Sequence, residues 1–179
     1  MTLTLIYLVL ALIFGIIAFF AHPKMPNSLW LIGIAALPQL AMIAGLSAQG
    51  WWPLTLVMMM VWGYRNRTVA GVPIVLIGVL LNLVAIAVHQ GSMPVHANVL
   101  ADQGITAAPG ELIAGTKDIV VTASPVWWLA DWIVIPIPTI ILIASPGDLI
   151  FLIGILVWFI GSGGAQHAQR DPATAPSRP

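Results

Sequence analysis

The sequence contains no cysteine. Disulfides, thiolate nucleophiles and zinc–thiolate sites are therefore excluded. Charge is scarce as well. Six basic and six acidic residues make up 7% of the 179, against roughly 25% in an ordinary soluble domain. Twelve charged side chains cannot coat a water-soluble particle of this size, and a chain so apolar does not have the composition of a disordered one. The formal net charge is zero and the six bases are scattered, which excludes a nucleic-acid binder of the basic-patch kind. What is abundant is apolar: 60% of the residues are hydrophobic, with eight tryptophans and seven methionines. This composition predicts an all-α integral membrane protein.

A bilayer-spanning helix needs about 20 apolar residues. Five runs approach this, and they place spans at about 3–21, 28–46, 51–64, 71–89 and 148–164 within a single transmembrane domain, 1–164. The first run lacks the basic start and small-residue cleavage site of a signal peptide, so it reads as a retained helix. Asn27 or Ser28 is a natural N-cap for the second, and Pro38 should kink it. The third is short. Residues 90–147 differ: they are polar at first, with Asp102, Glu111, Lys117 and Asp118, and read as a long outer connection. Ile119–Val121 resembles a strand. Val126–Ala144 is apolar but carries Asp131, Pro136 and Pro138, and reads as an interfacial or re-entrant segment rather than a sixth span. Residues 165–179 are rich in Pro, Ala and Ser and read as a disordered cytoplasmic tail.

Charge orients this arrangement. With five spans and the N-terminus outside, the C-terminus is inside. The inner loops then hold Lys24, Arg65, Arg67, Arg170 and Arg178, and the outer connection holds only Lys117, a strong positive-inside bias. A sixth span at Val126–Ala144 would erase the bias. The tryptophans fit five spans: Trp51, Trp52, Trp127, Trp128 and Trp132 fall near the outer interface, and Trp30, Trp62 and Trp158 near the inner one. Indole rings favour that level because they combine an apolar body with one N–H donor.

Few residues have the chemistry for a site. Gln39 and Asn82 are amides within apolar runs, where an interhelical hydrogen bond is the plainer reading and a ligand contact the sharper one. Met58, Met59 and Met60 read as packing. His89 and His96 flank a Gly-Ser-Met-Pro segment and, with Lys117 and Trp128, are candidates for ligand binding on the outer face. Their spacing does not suit a metal, and neither metal nor cofactor is expected. Lys117 and Asp118 read as a solvated pair of little worth. Asp131 and Asp148 border apolar runs on the same face. Brought together, two carboxylates would share a proton and activate water. Taken singly, Asp148 is a helix N-terminal residue and Asp131 an interfacial acceptor.

The order of features from Arg65–Arg67 through Val75–Asn82, Gly91–Val95, Trp128–Asp131 with Ile135-Pro136, and Pro146–Ile150 resembles a family of bacterial inner-membrane proteins catalogued as domain of unknown function 5317. The likeness covers nearly the whole chain except its tail. This chain departs from the family pattern at His89-Gln90-Gly91, where Asn-Gly-Gly is usual. It departs again at Lys117-Asp118 for Lys-His, Ser124-Pro125 for Thr-Arg, and Ala130-Asp131 for Gly-Asp. The family implies an architecture and no activity. A fainter likeness links Ala144–Ile150 to the aspartate-bearing helix start of lipoprotein signal peptidases. The Asn and Ala of that motif are absent here, as is its Asn-x-x-Asp-Arg partner.

These readings lead to an expected function: a non-enzymatic scaffold in the bacterial inner membrane, whose outer face binds a lipid-like ligand or a membrane protein partner. The alternative is an intramembrane aspartyl hydrolase using Asp131 and Asp148. A transporter is weaker, since the apolar runs show no inverted repeat.

Overall fold

In a computed structural model of the chain, residues 26–44, 50–113, 116–137 and 140–170 are described. The apolar run at 3–21 and the tail from 171 lie outside them.

The helices lie in the apolar runs, and their boundaries follow local chemistry. Helix α1 (Leu29–Ala35) and helix α2 (Leu37–Ile43) replace the single helix expected at 28–46. The break falls at Ala36, just ahead of Pro38, whose ring would strike the carbonyl four residues earlier in a continuous helix. Ser28 precedes α1 in a left-handed conformation and its side chain makes no cap. The capping role expected of Asn27 or Ser28 is instead a tertiary tie. The Asn27 amide donates to Asn66 Oδ1 at 2.7 Å, and Asn66 Nδ2 donates to the Asn27 carbonyl at 3.0 Å. Helix α3 (Trp52–Arg65) has proline in its first turn and ends at Asn66. Helix α4 (Val72–Val88) also begins with proline in its first turn.

The expectation of five transmembrane helices does not hold. Among the described residues no helix is long and apolar enough to cross a membrane. Helices α3 and α4 have 14 and 17 residues, about 21 and 26 Å at 1.5 Å per residue, and α1 and α2 have seven each. Pro38, Gly50 and the Arg65–Gly71 turn keep α1 to α4 shorter than a span.

The protein is not all-α either. The stretch read as a connection folds as a cap containing two small sheets. Strand β1 (Met93–His96) pairs in parallel with β2 (Asp118–Val121), Met93 opposite Asp118 and His96 opposite Val121. Helix α5 (Ala97–Asp102) follows β1 directly. Asp131 adds a parallel bridge to Val95 on the other side of β1. In place of an interfacial or re-entrant segment at Val126–Ala144 there is a 3-10 turn (Trp127–Leu129), followed by strands β3 (Ile133–Ile137) and β4 (Ile140–Ala144), which pair antiparallel. Runs of β-branched residues on both strands favour this extended pairing. Helix α6 (Pro146–Arg170) closes the fold and passes the limit expected at residue 164.

Helices α4 and α6 run antiparallel in close contact. A Cβ placed on Gly78 would lie 2.5 Å from the Gly147 carbonyl, and one on Gly154 2.5 Å from the Val75 amide. Gly71 has a positive φ of 81° and abuts the Gly154 carbonyl, so no side chain fits there. Val72, Val75 and Val79 pack with Leu31, Trp62 and Val69 as one buried cluster. A second, of Ala85, Ile86, Met93 and Leu129, joins α4 to the cap. A third, of Val95, Leu100 and Val120, lies within the cap.

Candidate functional site: the joint between cap and helices

The polar residues gather where the cap meets the C-terminal half of α4 and the start of α6. The sequence Ser145-Pro146-Gly147-Asp148 forms a capping box. The Asp148 amide donates to Ser145 Oγ at 3.0 Å, and the Ser145 amide donates to Asp148 Oδ2 at 3.0 Å. Each thereby satisfies a donor that the helix start would leave orphaned. Proline suits the first helical position because its missing N–H is not needed there.

This helix start is tied to α4 by Asn82. Its Nδ2 donates to Asp148 Oδ1 at 2.7 Å, and its Oδ1 lies 2.8 Å from the Ser145 hydroxyl. That hydroxyl is also 2.8 Å from Asp148 Oδ2 and can serve one acceptor at a time. Gly147 lies directly against the Asn82 side chain, so the approach depends on its lack of a Cβ. Asn82 is thus an interhelical tie, and both oxygens of Asp148 are committed to hydrogen bonds.

A second cluster sits in the cap. Lys117 Nζ lies 3.2 Å from Asp118 Oδ1 and 3.2 Å from Asp131 Oδ2. The side chain of Asp131 is 3% exposed, whereas those of Lys117 and Asp118 are 27% and 21% exposed. Lys117 and Asp118 pair as expected and stay partly exposed, but the ammonium is also shared with a buried carboxylate. The backbone explains the meeting. The Met93 amide donates to the Lys117 carbonyl on one side of β1, and the Asp131 amide donates to the Pro94 carbonyl on the other, both at 2.9 Å. The two side chains close over the strand between them.

The electrostatics of this cluster are lopsided. Burial pushes the Asp131 carboxyl up to about 7, against the pull of Lys117 and with the help of repulsion from Asp118 and Asp148. Burial opposes the charge on Lys117, but Asp118, Asp131 and Asp148 together raise its pKa. Asp131 Oδ1 is buried and has no hydrogen-bond partner.

Of the residues singled out from sequence, Asn82, Lys117, Asp131 and Asp148 converge here. The dyad of the alternative reading is not among these contacts: Asp131 pairs with Lys117 and Asp148 with Asn82 and Ser145. His89 turns back on its own helix, its Nδ1–H donating to the Ala85 carbonyl at 2.8 Å. His96 has a buried Nε2 with no partner and touches neither cluster by hydrogen bond. Trp128 is 50% exposed, and its carbonyl accepts from Trp132 Nε1 at 3.2 Å. The side chain of Gln39 lies outside the described residues. Among the described residues no group of three His, Asp or Glu is arranged to hold a metal ion.

Sequence reading passed over Ser145 and Gly147. Signals for both were present: Ser-Pro-Gly-Asp is a capping-box spacing, and Gly147, Gly154 and Gly161 recur every seven residues, about two helical turns.

Comparison with known proteins adds a family and no activity. No curated protein and no solved structure matches the chain significantly. A family model described as a family of unknown function (DUF5317) matches residues 4–160. That is most of the chain, and the protein belongs to this family.

Proposed function

We propose that the protein is a non-enzymatic scaffold or binding protein of the bacterial inner membrane, associated with lipid through its helix faces. Its cap forms the recognition surface on the outer face, for a lipid-like ligand or a membrane protein partner. The observation that carries this reading is a band of exposed apolar side chains between two polar ends. Leu54, Val57 and Val61 on α3, Ile77, Leu80, Val84 and Val88 on α4, and Leu152, Ile153, Leu156 and Ile160 on α6 are all exposed. Monomeric soluble proteins rarely expose contiguous apolar patches beyond a few hundred Å². At one end of the band stands the cap with Lys117 and its three aspartates. At the other, Arg65 and Arg67 follow α3, with the Arg67 guanidinium 4.5 Å above the Tyr64 ring. This polarity agrees with an arginine-bearing inner end and a cap outside. Exposed Trp127, Trp128 and Trp132 on the cap suit a lipid–water boundary.

The aspartyl-hydrolase alternative draws less support. A dyad needs two carboxyl groups within reach of one water, whereas here each aspartate is held by different partners. Fractionation tests the membrane reading. After an alkaline carbonate wash the protein should stay with the membrane pellet and require detergent for release. Recovery as a monodisperse species in detergent-free buffer would overturn it.

A further inference from the structure

The Lys117 ammonium lies where cap and helix pair meet, and it faces more negative charge than it can neutralise. Asp131 and Asp118 contact it directly, and Asp148, at the head of α6, acts on it through space. The three aspartates differ in what else holds them. Asp148 is fixed by Asn82 and by the amide and hydroxyl of Ser145. Asp118 is one-fifth exposed and solvated. Asp131 is buried, has Lys117 on one oxygen and nothing on the other, and so is the costliest of the three to keep ionised. Of the groups around it, Lys117 and Asp118 face it from the start of β2 and Asp148 from α6. Met93–Val95 of β1 carry no charge, and His89 and His96 make no hydrogen bond to it. Lys117 is 27% exposed, which gives protons a path from solvent.

We propose that Lys117 is a proton-linked switch at the joint between cap and helices. It bridges Asp131 and Asp118 while Asp131 is ionised, and lets go of Asp131 and turns toward Asp148, keeping Asp118, when Asp131 takes up a proton from solvent. The ammonium remains charged throughout; only one of its partners changes. In one state it ties β2 to the Asp131 segment across β1. In the other it ties the cap to the head of α6. Titration of Asp131 near neutrality would bring the exchange into a physiological range. This inference does not depend on where the protein resides in the cell.

The chain has only two lysines, Lys24 and Lys117, which makes the switch observable. Lys24→Arg leaves a single ammonium for nitrogen-15 NMR of purified, lysine-labelled full-length protein. Between about pH 5 and pH 9, where an unperturbed lysine does not titrate, the Lys117 resonance should shift with one midpoint near neutrality. The protonated-carboxyl band in infrared difference spectra should follow the same midpoint. Asp131→Asn should abolish both changes. Asp118→Asn, which removes a repelling carboxylate from a solvated position, should lower the midpoint, and it keeps the test open if Asp131→Asn fails to fold. Asp148→Asn should reduce the shift on the acid side. A Lys117 resonance that stays still while Asp131 titrates overturns the switch, as does a midpoint that survives Asp131→Asn.

Discussion

A carboxyl group that is 2% exposed and has one oxygen without a donor binds a proton more tightly in the fold than in the unfolded chain. For Asp131 the native value is about 7, against an ordinary 3.8. The linkage has a definite sign. Between these values the folded state holds a proton that the unfolded state has released, so stability rises as pH falls through about 7, and the gain is complete below the unfolded value. Thermal denaturation of the wild type and Asp131→Asn at pH 8 and pH 5 measures it. The wild type should gain stability on acidification by an amount on the order of a few kcal/mol relative to the variant. Equal pH dependence in the two proteins would contradict the assignment. Much at this scale was visible in sequence, since Asn82, Lys117, Asp131 and Asp148 stand out as polar residues in an apolar chain. Their pairing was only partly visible. Sequence suggested Lys117 with Asp118, as neighbours, and held Asp131 with Asp148 only as an alternative to separate roles. The fold keeps the Lys117–Asp118 contact and adds two others, Lys117 with Asp131 across β1 and Asp148 with Asn82 across two helices. Those partners lie 14 and 66 residues apart, and no local signal links them.

At the scale of elements, the α4–α6 contact is set by residues that have no side chain. Gly147, Gly154 and Gly161 recur on one face of α6 and meet Asn82 and Val75 on α4 and Ala70 in the turn before it. Backbones this close gain dispersion and allow the Asn82 tie. Gly154→Leu should therefore drive the helices apart and cost about 3 kcal/mol, measured as a lowered denaturation midpoint. Gly104→Leu, in open space on the cap, should cost less, and the loss there would come only from its positive φ of 74°. Equal losses at both positions would refute the packing argument. Helix positions were legible from apolar runs, and their lengths were not. Pro38, which looks like a kink in sequence, instead marks a break between two short helices. The sheets were hardest to foresee. Met93–His96 contains proline, a poor strand residue, and is tolerated because its Pro94 carbonyl, not its nitrogen, makes the bond to Asp131. Ile133–Ala144 is apolar but for Thr139, and a short run of that kind does not declare helix or strand by period.

At the scale of the whole molecule, the distribution of surface matters more than any single contact. The apolar band on α3, α4 and α6 implies that a charge placed within it costs little in water and much in lipid. Leu80, 45% exposed on α4, distinguishes the two. Leu80→Lys should lower membrane-associated yield and detergent-solution stability, at a cost of about 2.5 kcal/mol or more if the side chain faces hydrocarbon. In water the same exposed substitution would stay within about 0.5 kcal/mol. A variant that accumulates and denatures like the wild type would count against lipid contact at this face.

The sequence by itself determined the apolar character, the absence of thiol chemistry, the resemblance to a family of unknown function and the few polar residues able to form a site. These follow from composition and order, which the chain carries without folding. Tertiary structure decided how long each helix runs, that Met93–His96 pairs with Asp118–Val121 and Ile133–Ile137 with Ile140–Ala144, and which carboxylate meets which partner. Those outcomes depend on distant backbone segments satisfying each other's hydrogen bonds and on helices approaching at glycine. Both are properties of the assembled chain and not of any window along it.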